Sequence, residues 1–428
     1  MRFARVFGTI LGLTVTGHQT TALATQRPSN QHVLDADNSD ILAIFAQHRS
    51  SYTRGFVALG DSYSAGIGTG VDGKEDECRR GLHAYPALIF ADLAAHQKPN
   101  STASFQWMSC TGAVTEDLLS GGVSSQIDSF NTSSPTRPEF ALLSIGGNDL
   151  GFFDVINACI FRFYSYYSGT CESALAAADA RIASDDFERR LRIILLEVLD
   201  KVRWEKHPKF TITVTGYAQF FNAETPECDE DSFGVWWGGP KLTSDIRHKM
   251  NAMVLAVNKK LQRAVDEVNS RWFTKRPKVL FIDYDREFEG HRFCEPNITE
   301  PAYNRTDTWF FLIGGPDNAH NETQWPNVTT STQTEGVLSP SSALIDPDSC
   351  LEGAQRSGDW GELALCFMAM AKQRDPTLQL AKDNFVTENS MWYVPTYYGK
   401  TFHPTKRTLG HEVIRDKIYE EWAKHDLY

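Results

Sequence analysis

Short apolar runs that end on glycine or a polar turn punctuate this chain, and longer stretches with helical spacing separate them. Residues 55 to 60 read Gly-Phe-Val-Ala-Leu-Gly, an apolar segment closed by a glycine at each end. Runs of this length between turn residues suit strands buried on both faces. The same pattern predicts strands at Phe105 to Met108, Phe140 to Ile145, Phe210 to Thr215 and Val279 to Asp283. Between them, Tyr85 to Ala95, Phe187 to Trp204 and Leu242 to Val268 carry helical periodicity. In the second of these, Leu191, Ile194, Leu195, Val198, Leu199 and Val202 share one face, as a helix packed on a sheet requires. A closing helix is expected from Pro404 to Lys424, with Leu409, Val413, Ile414, Ile418 and Trp422 in phase and proline in its first turn. Alternating strands and helices predict an α/β fold with a doubly wound, mostly parallel five-stranded sheet, which presents ligands at the carboxyl ends of its strands.

From about Pro296 to Asn389 the pattern dissolves into Pro, Asn, Thr, Ser and Asp, apart from a helical stretch near Trp360 to Lys372. This is expected to be a long loop-rich excursion (296–389) from a single domain spanning 51–428, not a second domain. At the start, Arg2 and Arg5, the apolar run Val6 to Val15 and Ala22-Leu23-Ala24 have the order of a secretory signal peptide over residues 1–24. A polar N-terminal arm, 25–50, follows. The leader's apolar run is too short to cross a bilayer, and no later stretch reaches about 18 uninterrupted apolar residues. An extracellular protein without a membrane span is therefore expected.

Composition narrows the function. With 41% hydrophobic and 22% charged residues among 428, the chain has ordinary globular usage. Its formal net charge of -12 repels nucleic acid and anionic surfaces, so a neutral substrate is expected. The cysteines are Cys78, Cys110, Cys159, Cys171, Cys228, Cys294, Cys350 and Cys366. An even set in an exported chain reads as disulfides, and no pair has the tight spacing of a zinc or redox motif. Spacing does not fix the pairing; joining each cysteine to its neighbour is the simplest arrangement. Acceptor sequons for N-glycosylation begin at Asn100, Asn131, Asn297, Asn304, Asn321 and Asn327. Their concentration between residues 297 and 329 predicts an exposed, glycosylated loop and points to a eukaryotic secretory pathway.

Chemistry enters where the first strand runs into Asp61-Ser62-Tyr63-Ser64. That turn puts a serine hydroxyl at the ligand-bearing edge of the sheet, although Asp-Ser after a strand is by itself an ordinary turn or helix cap. Three further segments change its meaning: Cys110-Thr111-Gly112-Ala113, Gly146-Gly147-Asn148-Asp149 and Phe402-His403-Pro404. Together with Gly60-Asp61-Ser62, and in this order, they resemble the four blocks of the GDSL or SGNH hydrolase family. The disulfide-rich secreted branch, bacterial and fungal, is the nearest part of that family, and the fungal type is expected. The resemblance implies a flavodoxin-like sheet and a serine carboxylic ester hydrolase that needs no cofactor or metal. It assigns Ser62 as nucleophile and His403 as general base. It also assigns the oxyanion donors to the N–H groups of Ser62 and Gly112 and the side-chain amide of Asn148. A glycine at 112 permits close approach of substrate to backbone, and an amide donor needs no pKa adjustment.

One position departs from the family pattern. Lys400 stands where an Asp three residues before the histidine is usual. Either a backbone carbonyl near Lys400 to Thr401 orients the imidazole, giving a dyad, or a carboxylate from elsewhere does so; the carbonyl is favoured, since orientation and tautomer are what the third member mainly supplies. His411 is the nearby competitor to His403, and Asp61 and Asp149 are expected to hold local turns. Phe152, Phe153, Phe161, Phe163, Tyr164, Tyr166 and Tyr167 follow the asparagine block and could line an acyl or sugar pocket or pack into the core. Gly68, Gly70 and Gly73 match a dinucleotide-loop spacing, but the polar run Lys74 to Glu77 replaces the apolar helix such a loop requires. A monomer acting on a small ester, a lipid or an acylated polysaccharide is expected. The alternative is a catalytically silent glycan- or lipid-binding protein on the same fold.

Overall fold

The computed structural model describes residues 55–427, except 72–74, 96–103, 134–136, 162–169, 234–239, 273–275, 303–304, 406–408 and most of 313–395, where only 348–352, 366, 370, 374 are described. The expected signal peptide and arm, the sequons at Asn100, Asn304, Asn321 and Asn327, and Phe163, Tyr164, Tyr166 and Tyr167 lie outside the described residues. So does most of the expected excursion.

Five strands appear in chain order: β1 Gly55–Gly60, β2 Ser104–Trp107, β3 Phe140–Ser144, β4 Thr211–Thr215 and β5 Val279–Ile282. They form one sheet in the order β2-β1-β3-β4-β5, and every pairing is parallel. Side-by-side register of Phe56 with Phe105 and Phe140 stacks their rings, with centroids 4.7 Å apart in both pairs. On this face the ring of Trp422 meets Phe140 edge-on and its indole N–H donates to Thr213 Oγ1 at 2.8 Å. The alternate residues Val57, Leu59, Ala141, Leu143, Ile212 and Val214 are equally buried, so both faces are covered, which explains the uninterrupted apolar strands.

The helices that position the site are α1 Ser62–Ala65, α2 Tyr85–Ala95, α3 Cys171–Ala183, α4 Asp186–Lys201, α5 Ser244–Asn269 and α6 Gly410–Lys424. Helix α2 packs against α6, and α4 against α5. The apolar stripe expected on the second amphipathic segment is the buried face of α4, including Leu191, Ile194, Leu195, Val198 and Leu199.

The closing helix starts at Gly410, not at Pro404. Pro404 instead bridges antiparallel to Phe310, and Thr405 N–H donates to Trp309 O at 3.0 Å. Those backbone groups are committed to another segment, and the helix begins only after Leu409, which has a φ of 71°. Residues Trp309 to Leu312, at the start of the expected excursion, are buried. Four disulfides join Cys78 to Cys110, Cys159 to Cys171, Cys228 to Cys294 and Cys350 to Cys366, the neighbour pairing. Asn131 and Asn297 are exposed. Among the described residues no helix is long and apolar enough to cross a membrane.

Candidate active site

In a sheet of this order the crevice opens between β1 and β3, where the chain's winding direction reverses. Gly60 ends β1 with a φ of 119°, and a Cβ there would sit 1.9 Å from the carbonyl oxygen of Ser144. Only glycine fits. Its backbone is held by Gln126, whose Oε1 accepts from Gly60 N–H at 2.7 Å and whose Nε2 donates to Gly60 O at 2.9 Å.

Asp61 then caps helix α1. Its Oδ1 accepts from Tyr63 N–H and from the Ser144 hydroxyl, each at 3.1 Å. Its other oxygen accepts from the Tyr217 hydroxyl at 2.5 Å. Burial pushes this carboxyl up to about 7, against the pull of its three donors. Ser62 is the first residue of α1, so its N–H has no acceptor within the helix.

The Ser62 hydroxyl lies 2.7 Å from His403 Nε2. On the other side of the ring, Nδ1 is 3.2 Å from both the Lys400 and Thr401 carbonyl oxygens. Two acceptors at Nδ1 fix its proton there and leave Nε2 as an acceptor for the serine proton. Among the described residues no carboxylate bonds this imidazole. Burial, opposed by the two carbonyls, lowers its pKa to about 4, so the ring is neutral at neutral pH. Lys400 does not substitute for the usual carboxylate: its side chain is buried, lies against Gly68 and puts Nζ 5.2 Å from the Phe311 ring centre. The close approach to Lys400 accounts for the glycine at 68.

The loop that carries His403 is tied down on two sides. Phe402 N–H donates to Phe311 O at 3.1 Å and Phe311 N–H to His403 O at 2.9 Å. Tyr63, next to the serine, donates its hydroxyl to Phe402 O at 2.7 Å.

Gly112 has a φ of 86° in a turn closed by Ala113 N–H donating to Cys110 O at 3.1 Å. A positive φ at the third position of such a turn favours glycine. Cys110 N–H donates to Gly60 O at 2.9 Å, which brings this turn beside the serine turn. Asn148 comes from the opposite side of the crevice and donates Nδ2 to Ala113 O at 3.0 Å, leaving its second amide hydrogen for another acceptor. The four blocks, far apart in sequence, thus meet at one edge of the sheet.

Other expected residues fall elsewhere. His411 is buried in α6, where its Nδ1 accepts from Tyr85 N–H at 3.2 Å at the start of α2. Asp149 accepts from Thr115 N–H and hydroxyl at 2.5 to 3.0 Å, holding a turn as Asp61 does. Phe152 packs edge-on against Tyr217 and Phe220. Tyr63, Gln126 and Tyr217 were not singled out by sequence reasoning. Tyr217 carried one usable signal: like Ser62 and Asn148, it follows directly on the carboxyl end of a strand.

No family model matches the chain. Lipase 1 of Streptomyces coelicolor is 34% identical over 172 residues, 40% of this chain and 55% of that protein, so the chain spans just over half the length of that relative. A lipase of Streptomyces rimosus is 31% identical over 257 residues, 58% of this chain and 78% of that protein. Among solved structures, phospholipase A1 of Streptomyces albidoflavus NA297 is 27% identical, with 63% of this chain and 92% of that chain covered and a TM-score of 0.45. These relatives are bacterial and lend no support to the fungal type. With the Streptomyces rimosus lipase matched along most of its length, the chain belongs to the GDSL/SGNH-type lipase family.

Proposed function

We propose that this protein is a secreted carboxylic ester hydrolase that works through an acyl-serine intermediate on neutral lipid or small esters. The observation that carries the reading is the 2.7 Å contact between the Ser62 hydroxyl and His403 Nε2. Ser62 Oγ attacks the ester carbonyl carbon while its proton passes to Nε2, and the carbonyl oxygen becomes an oxyanion. The N–H groups of Ser62 and Gly112 and the amide of Asn148 stabilise that charge, each donor contributing about 10² to 10³ in rate. Collapse of the tetrahedral adduct breaks the carbon–oxygen bond to the alcohol, which leaves with the proton from Nε2. Water then gives a proton to Nε2 and adds to the acyl carbon; expulsion of Ser62, reprotonated from His403, releases the acid. The carbonyls of Lys400 and Thr401 take the orienting part that a carboxylate plays in a triad.

Related proteins bearing the names lipase and phospholipase A1 favour a lipid ester over an acylated polysaccharide. Four disulfides favour export to an oxidising compartment, and the exposed Asn131 and Asn297 are proposed glycan acceptors. Hydrolysis of p-nitrophenyl acetate, a longer p-nitrophenyl ester, triglyceride and phospholipid by wild type and Ser62→Ala tests the reading. Wild-type turnover should exceed that of the variant by more than about 10³-fold, as for other loss of a serine nucleophile. Equal, slow release from both would leave a silent binding protein.

A further inference from the structure

One phenol outside the four blocks touches both sides of the crevice. Tyr217 follows Gly216 at the end of β4 and is 1% exposed. Its hydroxyl donates to Asp61 at 2.5 Å and accepts from Gly147 N–H at 3.1 Å. Asp61 caps the helix that begins with Ser62, and Gly147 immediately precedes Asn148. A single oxygen atom therefore spans the serine turn and the asparagine turn.

Tyr217 itself has little freedom. Its N–H donates to Asn258 Oδ1 at 2.9 Å, and Asn258 Nδ2 donates back to Tyr217 O at 2.8 Å. Asn258 lies in the long helix α5, so the phenol is fixed by the scaffold and not by a loop. Its ring meets that of Tyr63 edge-on at 4.9 Å, and Tyr63 holds the His403 loop through Phe402 O.

The direction of the hydrogen bonds matters. Because the phenol proton is directed at the carboxylate, the oxygen's lone pairs face outward and accept from Gly147 N–H. A protonated Asp61 would compete as a donor to the same oxygen and weaken that second bond.

We propose that Tyr217 and Asp61 form a positioning pair which sets the separation between the Ser62 oxygen and the Asn148 amide without touching substrate. The inference rests on the ester-hydrolase reading for its kinetic consequence, and on geometry alone for its structural one. Displacement of a reacting group by about 1 Å costs about 10² in rate, so a strut at this place acts on kcat more than on KM.

The pair also predicts a pH signature. Asp61 is buried among Tyr63 of α1, Tyr85 of α2, Tyr217 beyond β4 and Tyr284 beyond β5, with Asp149 beyond β3 the nearby carboxyl. Burial raises all four phenols above their ordinary value, so they stay neutral across the working range. Asp61, held near 7, therefore ionises in mid-range, and its bond from Tyr217 pulls it downward.

The test is Tyr217→Phe, with Asp61→Asn as a second variant, in the full chain. Steady-state hydrolysis of a soluble p-nitrophenyl ester is followed from pH 5 to 9, with Ser62→Ala as control and the folded fraction measured by circular dichroism. In Tyr217→Phe, kcat per folded molecule should fall about 10- to 100-fold with KM within about twofold, and the step near pH 7 should move upward. In Asp61→Asn that step should vanish. A Tyr217→Phe protein with wild-type kcat and pH profile per folded molecule overturns the proposal. The crystal structure of Tyr217→Phe decides the geometric claim independently of turnover: a changed spacing between Ser62 and Asn148 supports it, and superposable turns overturn it. An inactive wild type, or full activity in Ser62→Ala, would count against the ester-hydrolase reading, with the crystallographic result still deciding the strut.

Discussion

Removing the Cys78–Cys110 disulfide by Cys78→Ala with Cys110→Ala separates scaffold stability from site geometry. The bond closes a loop with a sequence separation of 32; in the chain-entropy model its loss costs about 3.7 kcal/mol at 25 °C. For a chain of this length, unfolding entropy near 0.9 kcal/mol/K converts that into a Tm lower by roughly 4 °C. Cys228–Cys294 has a separation of 66, for which the same expression gives about 4.3 kcal/mol, so the two deletions should destabilise to a similar degree. They differ in what they touch. Thr111 N–H donates to Cys78 O at 3.1 Å, and Cys110 both accepts from Ala113 N–H and donates to Gly60 O, so the first disulfide braces the turn carrying Gly112. Loosening the N–H proposed as an oxyanion donor at Gly112 without deleting it should lower kcat about 10-fold, a fraction of the 10² to 10³ attached to a complete loss. Cys228–Cys294 lies next to Phe293, whose ring meets that of Phe402 at 5.3 Å, and touches none of the oxyanion turn, so its removal should change kcat by less than about threefold, as expected of a remote site. Urea unfolding gives the stabilities, and ester hydrolysis well below either Tm gives the rates. Unchanged kcat in the Cys78/Cys110 variant, or the same loss in both variants, would refute the link between this disulfide and the oxyanion turn.

Asn148→Ala should lower kcat by about 10² to 10³ with KM within about threefold, since a donor to the oxyanion acts only in the transition state; steady-state kinetics showing a raised KM at wild-type kcat would remove it from that role. Asp61 predicts a pH dependence of stability. Its folded value of about 7 lies above the unfolded 3.8, so between those values the folded chain keeps a proton that the unfolded chain has released. Its contribution therefore falls as pH rises through that interval, by about 4 kcal/mol in all. His403 runs the other way, its folded value of about 4 lying below 6.5, so its contribution rises with pH over that span. Asp61→Asn should therefore gain about 3 kcal/mol relative to wild type between pH 5 and pH 8, measured by urea unfolding at each pH; a constant difference would show that this carboxyl ionises freely when folded.

Much of the framework was written locally. Apolar runs bounded by glycine placed β1 at its observed limits and β2 within one residue, because a strand covered on both faces needs side chains of one kind throughout. Tyr85–Ala95 is likewise the helix its periodicity predicts. Ser62, Gly112, Asn148 and His403 were legible because each sits in a short block with its own turn chemistry, and their order in the chain carried the family resemblance.

What orients His403 was legible only in part. Lys400 marked the missing carboxylate and a backbone carbonyl near Lys400 to Thr401 was the favoured substitute, but the sequence could not exclude a distant acid. The choice depends on backbone atoms at 400 and 401, whose direction is set when residues 309–311 pair with 402–405. That pairing also moved the start of α6 from Pro404 to Gly410. Tyr217 escaped notice for the same reason: a tyrosine after a strand has no distinctive local pattern, and its role exists only once β4 lies beside β3 and Asp61 comes within reach. Sequence by itself determined the five strands, the helices α2, α4 and α5, the disulfide-forming cysteines and the residue types available for chemistry, because propensity and hydrophobic period act over a few residues. Tertiary structure alone decided which backbone carbonyls face the imidazole and which phenol joins the two turns, because hydrogen bonds between segments hundreds of residues apart depend on the packing of the whole sheet and leave no mark in the neighbouring sequence.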